Sequence, residues 1–325
     1  MRPSPLPTKS FTRMVLFVAA LIMLAVFSIS NRAHVESIIA PDQQPKASPT
    51  PAEPDDVVRV STDLVVVNVT VLDQNGKFVP GLKRADFQIF EDGTPQRIST
   101  FSAEETPFAA AILLDTSGSM ETRLTLGRSA AIRFLDGLRD EDVAAVYSFD
   151  TKVEQWSDFS PGRDLPQRVY GLKSRTMTAL NDAIVRAADD LGKREEKRRA
   201  IVVLSDGGEN YSHASSDKAL DRASAANATI YGANMAEHGP NRDLTGAAIL
   251  KNLADKSGGR YIDAPGGLEL RDSFASIAEE LGHQYTIGYR PSNHAHDGKW
   301  RTVQVKLSRA GVTVRTRKGY RAPKS

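Results

Sequence analysis

Residues 109–114 are an unbroken run of small and aliphatic side chains that stops at Asp115-Thr116-Ser117-Gly118-Ser119-Met120. A strand with one wet face alternates polar and apolar residues, whereas a continuous apolar run needs cover on both faces. The run is therefore read as a buried strand ending at a carboxylate. Two hydroxyls follow at alternate positions in a turn that contains glycine, which gathers three oxygens around one surface point. Oxygen-only donors suit hard cations, which keep water or outside groups in their remaining positions.

The same pattern continues along residues 108–283. Apolar runs at 109–114, Val143–Phe149, 200–204 and 229–233 read as strands. Between them, Ala131, Phe134, Leu135 and Leu138 share one helical face, and Ala183, Ile184, Ala187, Ala188 and Leu191 share another. Leu270, Phe274, Ile277 and Leu281 make a third. Residues 153–159 follow Val143–Phe149 too closely for a crossover helix and read as an antiparallel edge hairpin. Strand–helix alternation predicts an α/β fold: a doubly wound, mostly parallel sheet with helices on both faces.

The flanks read differently. From Val57, aliphatic residues run through Val58, Val60, 64–67, Val69 and Val71. The turn Asp73-Gln74-Asn75-Gly76 follows, and then short strands at 87–90 and 98–101 about the turn 91–95. After residue 284 come Tyr285–Tyr289, 302–307 and 312–316. Neither flank has enough strands to close a β-sandwich. The expectation is that 57–102 and 285–325 pair into one sandwich-like domain, with the α/β unit inserted between them.

Residues 1–30 place a basic start, with Arg2, Lys9 and Arg13, ahead of an apolar run from Met14 to about Ser30. This is the layout of a signal peptide or of a retained membrane anchor. Residues 31–56 include five prolines between 41 and 56 and read as a solvated linker. Either fate of the leader puts the body outside the cytoplasm, secreted, periplasmic or held to the membrane through residues 14–30.

Removing the leader's three bases from 42 leaves 39 basic against 40 acidic residues, so a near-neutral body gives no electrostatic case for nucleic acid. With no cysteine, disulfides, thiolate metal sites and a cysteine nucleophile are excluded.

Two further elements fall where an open α/β sheet binds ligands, beyond the carboxyl ends of its strands. The buried run 200–204 ends in Ser205-Asp206-Gly207-Gly208, and Thr178 stands just ahead of the second helical pattern, where it can act as an N-cap. Asp-x-Ser-x-Ser, a later Thr and an Asp-Gly after an apolar strand resemble the metal-ion-dependent adhesion site of von Willebrand factor type A domains. Asp115, Ser117 and Ser119 match the first element, Thr178 the second and Asp206 the third. The likeness covers about 108–283. More loosely, residues 61–67, Asp86-Phe87, 91–93 and 317–320 are similar to a bacterial family of exported proteins built around such a domain.

The resemblance implies a Rossmann-like fold and a bound Mg²⁺, or Mn²⁺ or Ca²⁺. It also implies a protein partner that fills the metal's open position with an Asp or Glu. One departure is that the site Thr is often preceded by glycines, where this chain has Thr176-Met177. Glu209 and Asn210 stand where they can shape the rim.

Other motifs carry less. His294-Ala295-His296-Asp297 lacks a third regularly spaced ligand and reads as a solvated turn. Ser117 lacks the glycine of a nucleophile elbow, and there is no Walker-type phosphate loop. A binding module rather than an enzyme is the expectation. The alternatives are a metal-dependent hydrolase on the same oxygens, with Glu209 as its one loose candidate base, or a structural envelope protein with a vestigial site.

Overall fold

In the computed structural model, residues 64–325 are described, apart from 104, 174–176, 238, 240–242, 266 and 325. The leader, the linker and the start of the first flank, 57–63, lie outside the described residues. No helix among the described residues is long and apolar enough to cross a membrane.

Four strands come first: β1 (Val65–Leu72), β2 (Phe87–Glu91), β3 (Thr94–Gln96) and β4 (Ile98–Ser102). The chain then alternates through β5 (Phe108–Asp115), α1 (Leu124–Asp136), β6 (Val143–Phe149), β7 (Val153–Ser160), α2 (Leu180–Leu191) and β8 (Arg198–Ser205). It continues with α3 (Ser216–Ala225), β9 (Ala228–Asn234), α4 (Leu244–Ser257), β10 (Tyr261–Asp263) and α5 (Gly267–Gly282). Four strands end it: β11 (Tyr285–Tyr289), β12 (Trp300–Leu307), β13 (Thr313–Arg315) and β14 (Gly319–Arg321).

The α/β part is a six-stranded sheet in the order β10-β9-β8-β5-β6-β7. All its pairings are parallel except β6–β7, the edge hairpin. Every residue of β5 is buried because both faces are covered. Phe108, Ala110, Ile112 and Leu114 join a core with Phe134 of α1 and Phe274 of α5. Ala109, Ala111 and Leu113 point the other way, into a core with Ile184 of α2, Leu220 of α3 and Leu250 of α4. Each fully buried Leu, Ile or Phe among these contributes about 1.5–3 kcal/mol of transfer free energy. The three helical faces read from the sequence are α1, α2 and α5, with Leu138 buried just past the end of α1. The remaining helices, α3 and α4, are short or weakly patterned: α3 buries only Ala219, Leu220 and Ala223.

The flanking strands form two antiparallel sheets, β13-β1-β11-β4 and β14-β12-β2-β3. In each, strands from before the α/β part pair with strands from after it: β1 and β4 flank β11, and β2 pairs with β12. A shared core of Val67, Val69, Ile89, Ile287 and Val305 fills the space between them. The β2–β3 hairpin turns on Asp92 (φ 47°) and Gly93 (φ 79°), the left-handed pair that a two-residue turn requires.

Several polar ties join the sandwich to the α/β part. Glu280 of α5 accepts from Thr70 of β1 at 3.1 Å and from Tyr231 of β9 at 2.7 Å, and it pairs with Arg315 of β13. Lys318 N–H donates to the Lys256 carbonyl at 2.9 Å. Gly258 (φ 86°) ends α4 in the left-handed conformation, directly beside the Thr316–Arg317 backbone.

Candidate functional site

The chain enters the sheet at its centre with β5, builds outward through β6 and β7, and returns to the other side of β5 with β8. That reversal lies between β5 and β8, where an open α/β sheet leaves a crevice beyond the carboxyl ends of its strands. Asp115 is the last residue of β5, and Asp206 directly follows β8.

Asp115 is fixed from both strands. Its Oδ1 accepts the Ser117 backbone N–H at 2.8 Å, which closes the turn, and its Oδ2 accepts the Ser205 hydroxyl at 2.5 Å. The Ser205 Oγ in turn accepts the Gly207 N–H at 2.9 Å. Ser117 and Ser119 then bring their Oγ atoms within 3.2 Å of each other. Asp115, Ser117 and Thr178 are buried, Asp206 is partly covered, and Ser119 is open to solvent. Burial pushes the Asp115 carboxyl up to about 7; bonds from Ser117 and Ser205 oppose this, and the nearby charge of Asp206 adds to it. Among the described residues, no Arg or Lys pairs with Asp115.

Thr178 and Asp206 meet above Gly208. A Cβ there would lie 3.3 Å from Thr178 Oγ1 and 3.3 Å from Asp206 Oδ1, so the glycine leaves the two oxygens facing one small space. Gly207 has φ 90°, and any Cβ on it would run into the backbone of Gly246 at the start of α4. The glycine pair lets the Asp206 loop turn tightly against that helix.

The loop after β8 also holds Thr178. Thr178 N–H donates to Asn210 Oδ1 at 2.9 Å, and its carbonyl accepts from Asn210 and Tyr211, both at 3.1 Å. Thr178 is not the helix cap that its position suggests. The N-cap of α2 is Ala179, which has no side-chain bond, and the free Asn181 N–H is taken instead by Glu209 at 2.8 Å. A carboxylate at a helix N-terminus also gains from the helix dipole. Glu209 further accepts from Tyr211 N–H, Ser212 N–H and Ser212 Oγ. With its oxygens engaged this way, it is not poised as a general base.

Three supporting residues escaped the sequence reading. Thr116 donates to the Phe149 carbonyl from both N (2.9 Å) and Oγ1 (3.2 Å). The Asp150 carbonyl accepts Ala179 N–H at 2.7 Å, so the end of β6 anchors both the Asp115 turn and the Thr178 loop. Ser205 bridges β5 to β8. The available signal was an apolar run that ends in a polar residue: β6 runs into Asp150 as β5 runs into Asp115.

Asp115, Ser117 and Ser119 thus cluster at the end of β5, Thr178 and Asp206 meet at the loop after β8, and the charge of Asp206 reaches Asp115. Their donor set is oxygen only, with two carboxylates, two Ser hydroxyls and one Thr hydroxyl, and it fits a hard divalent cation. Among the described residues, at this crevice or elsewhere, no group of three His, Asp or Glu side chains forms a metal cluster. His294, His296 and Asp297 lie exposed in the β11–β12 loop.

The family model described as von Willebrand factor type A domain matches residues 110–209. Among curated proteins, inter-alpha-trypsin inhibitor heavy chain H3 of Rattus norvegicus is 25% identical over 205 residues, covering 58% of this chain and 23% of its own. The Homo sapiens protein of that name is 24% identical over 193 residues, or 54% and 21%. The chain therefore matches only about a quarter of the length of these relatives. Among solved structures, a von Willebrand factor type A protein from Catenulispora acidiphila aligns at TM-score 0.45 with 14% identity, covering 82% of this chain and 75% of that one. The PilB minor pilin from Streptococcus sanguinis also aligns at TM-score 0.45 with 14% identity, covering 55% and 62%. Residues 110–209, which run from within β5 to the loop that carries Asp206, are the part of this chain that matches the von Willebrand factor type A domain.

Proposed function

We propose that the chain is an extracytoplasmic protein-binding module of the adhesion type. In this reading it grips an Asp or Glu of a partner protein through a divalent cation held by Asp115, Ser117, Ser119, Thr178 and Asp206. The observation that carries the reading is a buried carboxylate with no cationic partner among the described residues, within reach of a second carboxylate's charge and beside hydroxyl oxygens at the sheet's switch point. Mg²⁺ is the first candidate, with Mn²⁺ and Ca²⁺ as alternatives.

The residues have separable tasks. Asp115 sets the turn and supplies negative charge, and Ser205 holds its second oxygen. Ser117 and Ser119 present neutral oxygens side by side, and Thr178 and Asp206 supply the opposite wall. Two carboxylates against a 2+ charge leave no excess of negative charge in the site, so a further anionic ligand remains attractive. The cation, when bound, supplies the electrophile to which a partner carboxylate adds. Glu209 shapes the rim by capping α2, which supports a structural task for it over that of a general base.

Affinity capture from envelope extract tests this reading. The full chain should retain a partner in Mg²⁺ and release it in EDTA, and Asp115→Ala should retain none. Capture indifferent to both EDTA and Asp115→Ala would remove the metal from the function.

A further inference from the structure

The second feature lies away from the candidate metal crevice, between α3 and the end of the sandwich. A cavity of about 720 Å³ opens there, bounded by α3, the first residues of β1, the β11–β12 loop and β14. Its lining is strongly basic. Lys218, Arg222, Arg301, Arg317 and Arg321 all line it, against one carboxylate, Asp221.

That carboxylate is already used: Arg321 Nε donates to Asp221 at 2.7 Å. Arg301 is likewise committed, to Glu91 at 3.3 Å. Arg222 lies 3.5 Å from Asp189, whereas Arg317 has no carboxylate. Its Nη1 reaches only neutral groups, the Ser224 carbonyl at 3.2 Å and Asn227 Oδ1 at 3.3 Å. Its guanidinium lies 5.5 Å from the centre of the Tyr320 ring. Its Nε is buried and has no hydrogen-bond partner. Among the described residues no carboxylate pairs with Arg317, and none pairs with exposed Lys218.

We propose that this cleft is an anion-binding site for a ligand carrying two or more carboxylate or phosphate-type oxygens, with Arg317 as its anchor and Lys218 and Arg222 at its rim. A guanidinium presents a planar fork of donors that matches such oxygens two at a time. A largely buried cation without a counter-charge is costly, and an anionic ligand offsets that cost. Burial holds the Arg317 guanidinium below its usual value, the expected mark of a charge whose protein partners are all neutral. The cavity also falls in the size range of small-molecule sites, roughly 300–1,000 Å³.

A purely packing role would explain the Tyr320 contact and the bond to the Ser224 carbonyl. It explains neither the missing counter-charge nor the basic rim.

Calorimetric titration of the full-length chain with inorganic pyrophosphate and, separately, citrate tests the proposal. The chain is first stripped of metal on a chelating resin and kept in metal-free buffer without soluble chelator, so the candidate metal site does not contribute and failure there cannot mimic failure here. At least one probe should bind saturably and weaken about tenfold or more between roughly 50 mM and 0.5 M NaCl. Arg317→Gln should weaken it at least about tenfold, and the exposed pair Lys218→Gln with Arg222→Gln about three- to tenfold. Binding of citrate alone assigns a carboxylate ligand, and of pyrophosphate alone a phosphate ligand. If Arg317→Gln does not fold, the rim pair decides. No saturable binding of either probe below about 10 mM, or binding that the folded variants leave unchanged, would overturn the proposal.

Discussion

Two strands in different parts of this molecule end in a buried acid, and the two acids are treated in opposite ways. Glu91 closes β2 in the sandwich and is 2% exposed. It accepts from Tyr289 Oη at 2.7 Å and Tyr320 Oη at 2.8 Å, and it pairs with Arg301 at 3.3 Å. Asp115 closes β5 in the α/β sheet and is 1% exposed. It receives a backbone amide and a serine hydroxyl, and the charge of Asp206, another carboxylate, acts on it. The sandwich neutralises its acid from within. The α/β sheet gives its acid no cationic partner among the described residues, and under the proposed function an arriving hard cation would neutralise it.

The largest test of this contrast is whether the two regions fold separately. Strands β1–β4 pair only with each other or with strands that come after residue 284. We therefore expect a fragment of residues 104–284 to give a cooperative melt and a fragment of 57–102 to show none by circular dichroism. A cooperative melt of 57–102 would break the division.

Next in size is the internal pair. Glu91→Gln leaves Arg301 buried beside a neutral group and should cost about 3–5 kcal/mol by urea unfolding. Asp115→Asn, measured in EDTA, should cost nothing or stabilise, because it removes an uncompensated buried charge. Equal losses at the two positions would mean that the acids play the same role.

Much of this contrast was open to inspection in the sequence. The unbroken apolar run before Asp115 required a two-faced sheet, and the three loops that meet at the crevice all begin at strand or helix ends that patterning located. The supporting residues were not legible. Glu209 caps α2 and Asn210 holds Thr178 across a gap of about thirty residues, and no periodicity encodes such a contact. The Thr178 cap failed for the same reason: a local rule assigned its hydroxyl to the helix, while a distant carboxylate took that amide and left the hydroxyl to face Asp206. Glu91 looked like a turn residue, since Asp92-Gly93 follows it, and only the return of β11, β12 and β14 buries it.

A smaller effect is expected at the opposite wall of the crevice. Thr178→Ala should weaken Mg²⁺ binding by about tenfold, or ~1.4 kcal/mol, and Thr178→Ser by much less because it keeps the oxygen. An unchanged affinity in Thr178→Ala, by calorimetry, would exclude Thr178 from the site.

Acidity gives the most graded test. Asp115 titrates higher in the folded chain than in the unfolded one, so the folded state holds its proton more tightly. Its stabilising contribution is complete below about pH 4 and is lost as pH rises through about 7. Without metal, the stability of the wild type relative to Asp115→Asn should therefore fall across that window. With Mg²⁺ the trend reverses, because binding requires the ionised carboxylate, and affinity should rise until about pH 7. A flat difference in EDTA would show that Asp115 is already compensated.

The most direct measurement is a calorimetric Mg²⁺ titration of the full-length chain beside Asp115→Ala. A saturable one-to-one isotherm in the wild type, absent in the folded variant, is the result predicted here. At a Mg²⁺ concentration of about 100 Kd the wild type should also gain about 2.7 kcal/mol of stability. A folded wild type that binds no Mg²⁺, Mn²⁺ or Ca²⁺ would contradict the claim that the Asp115 crevice is built to hold a cation.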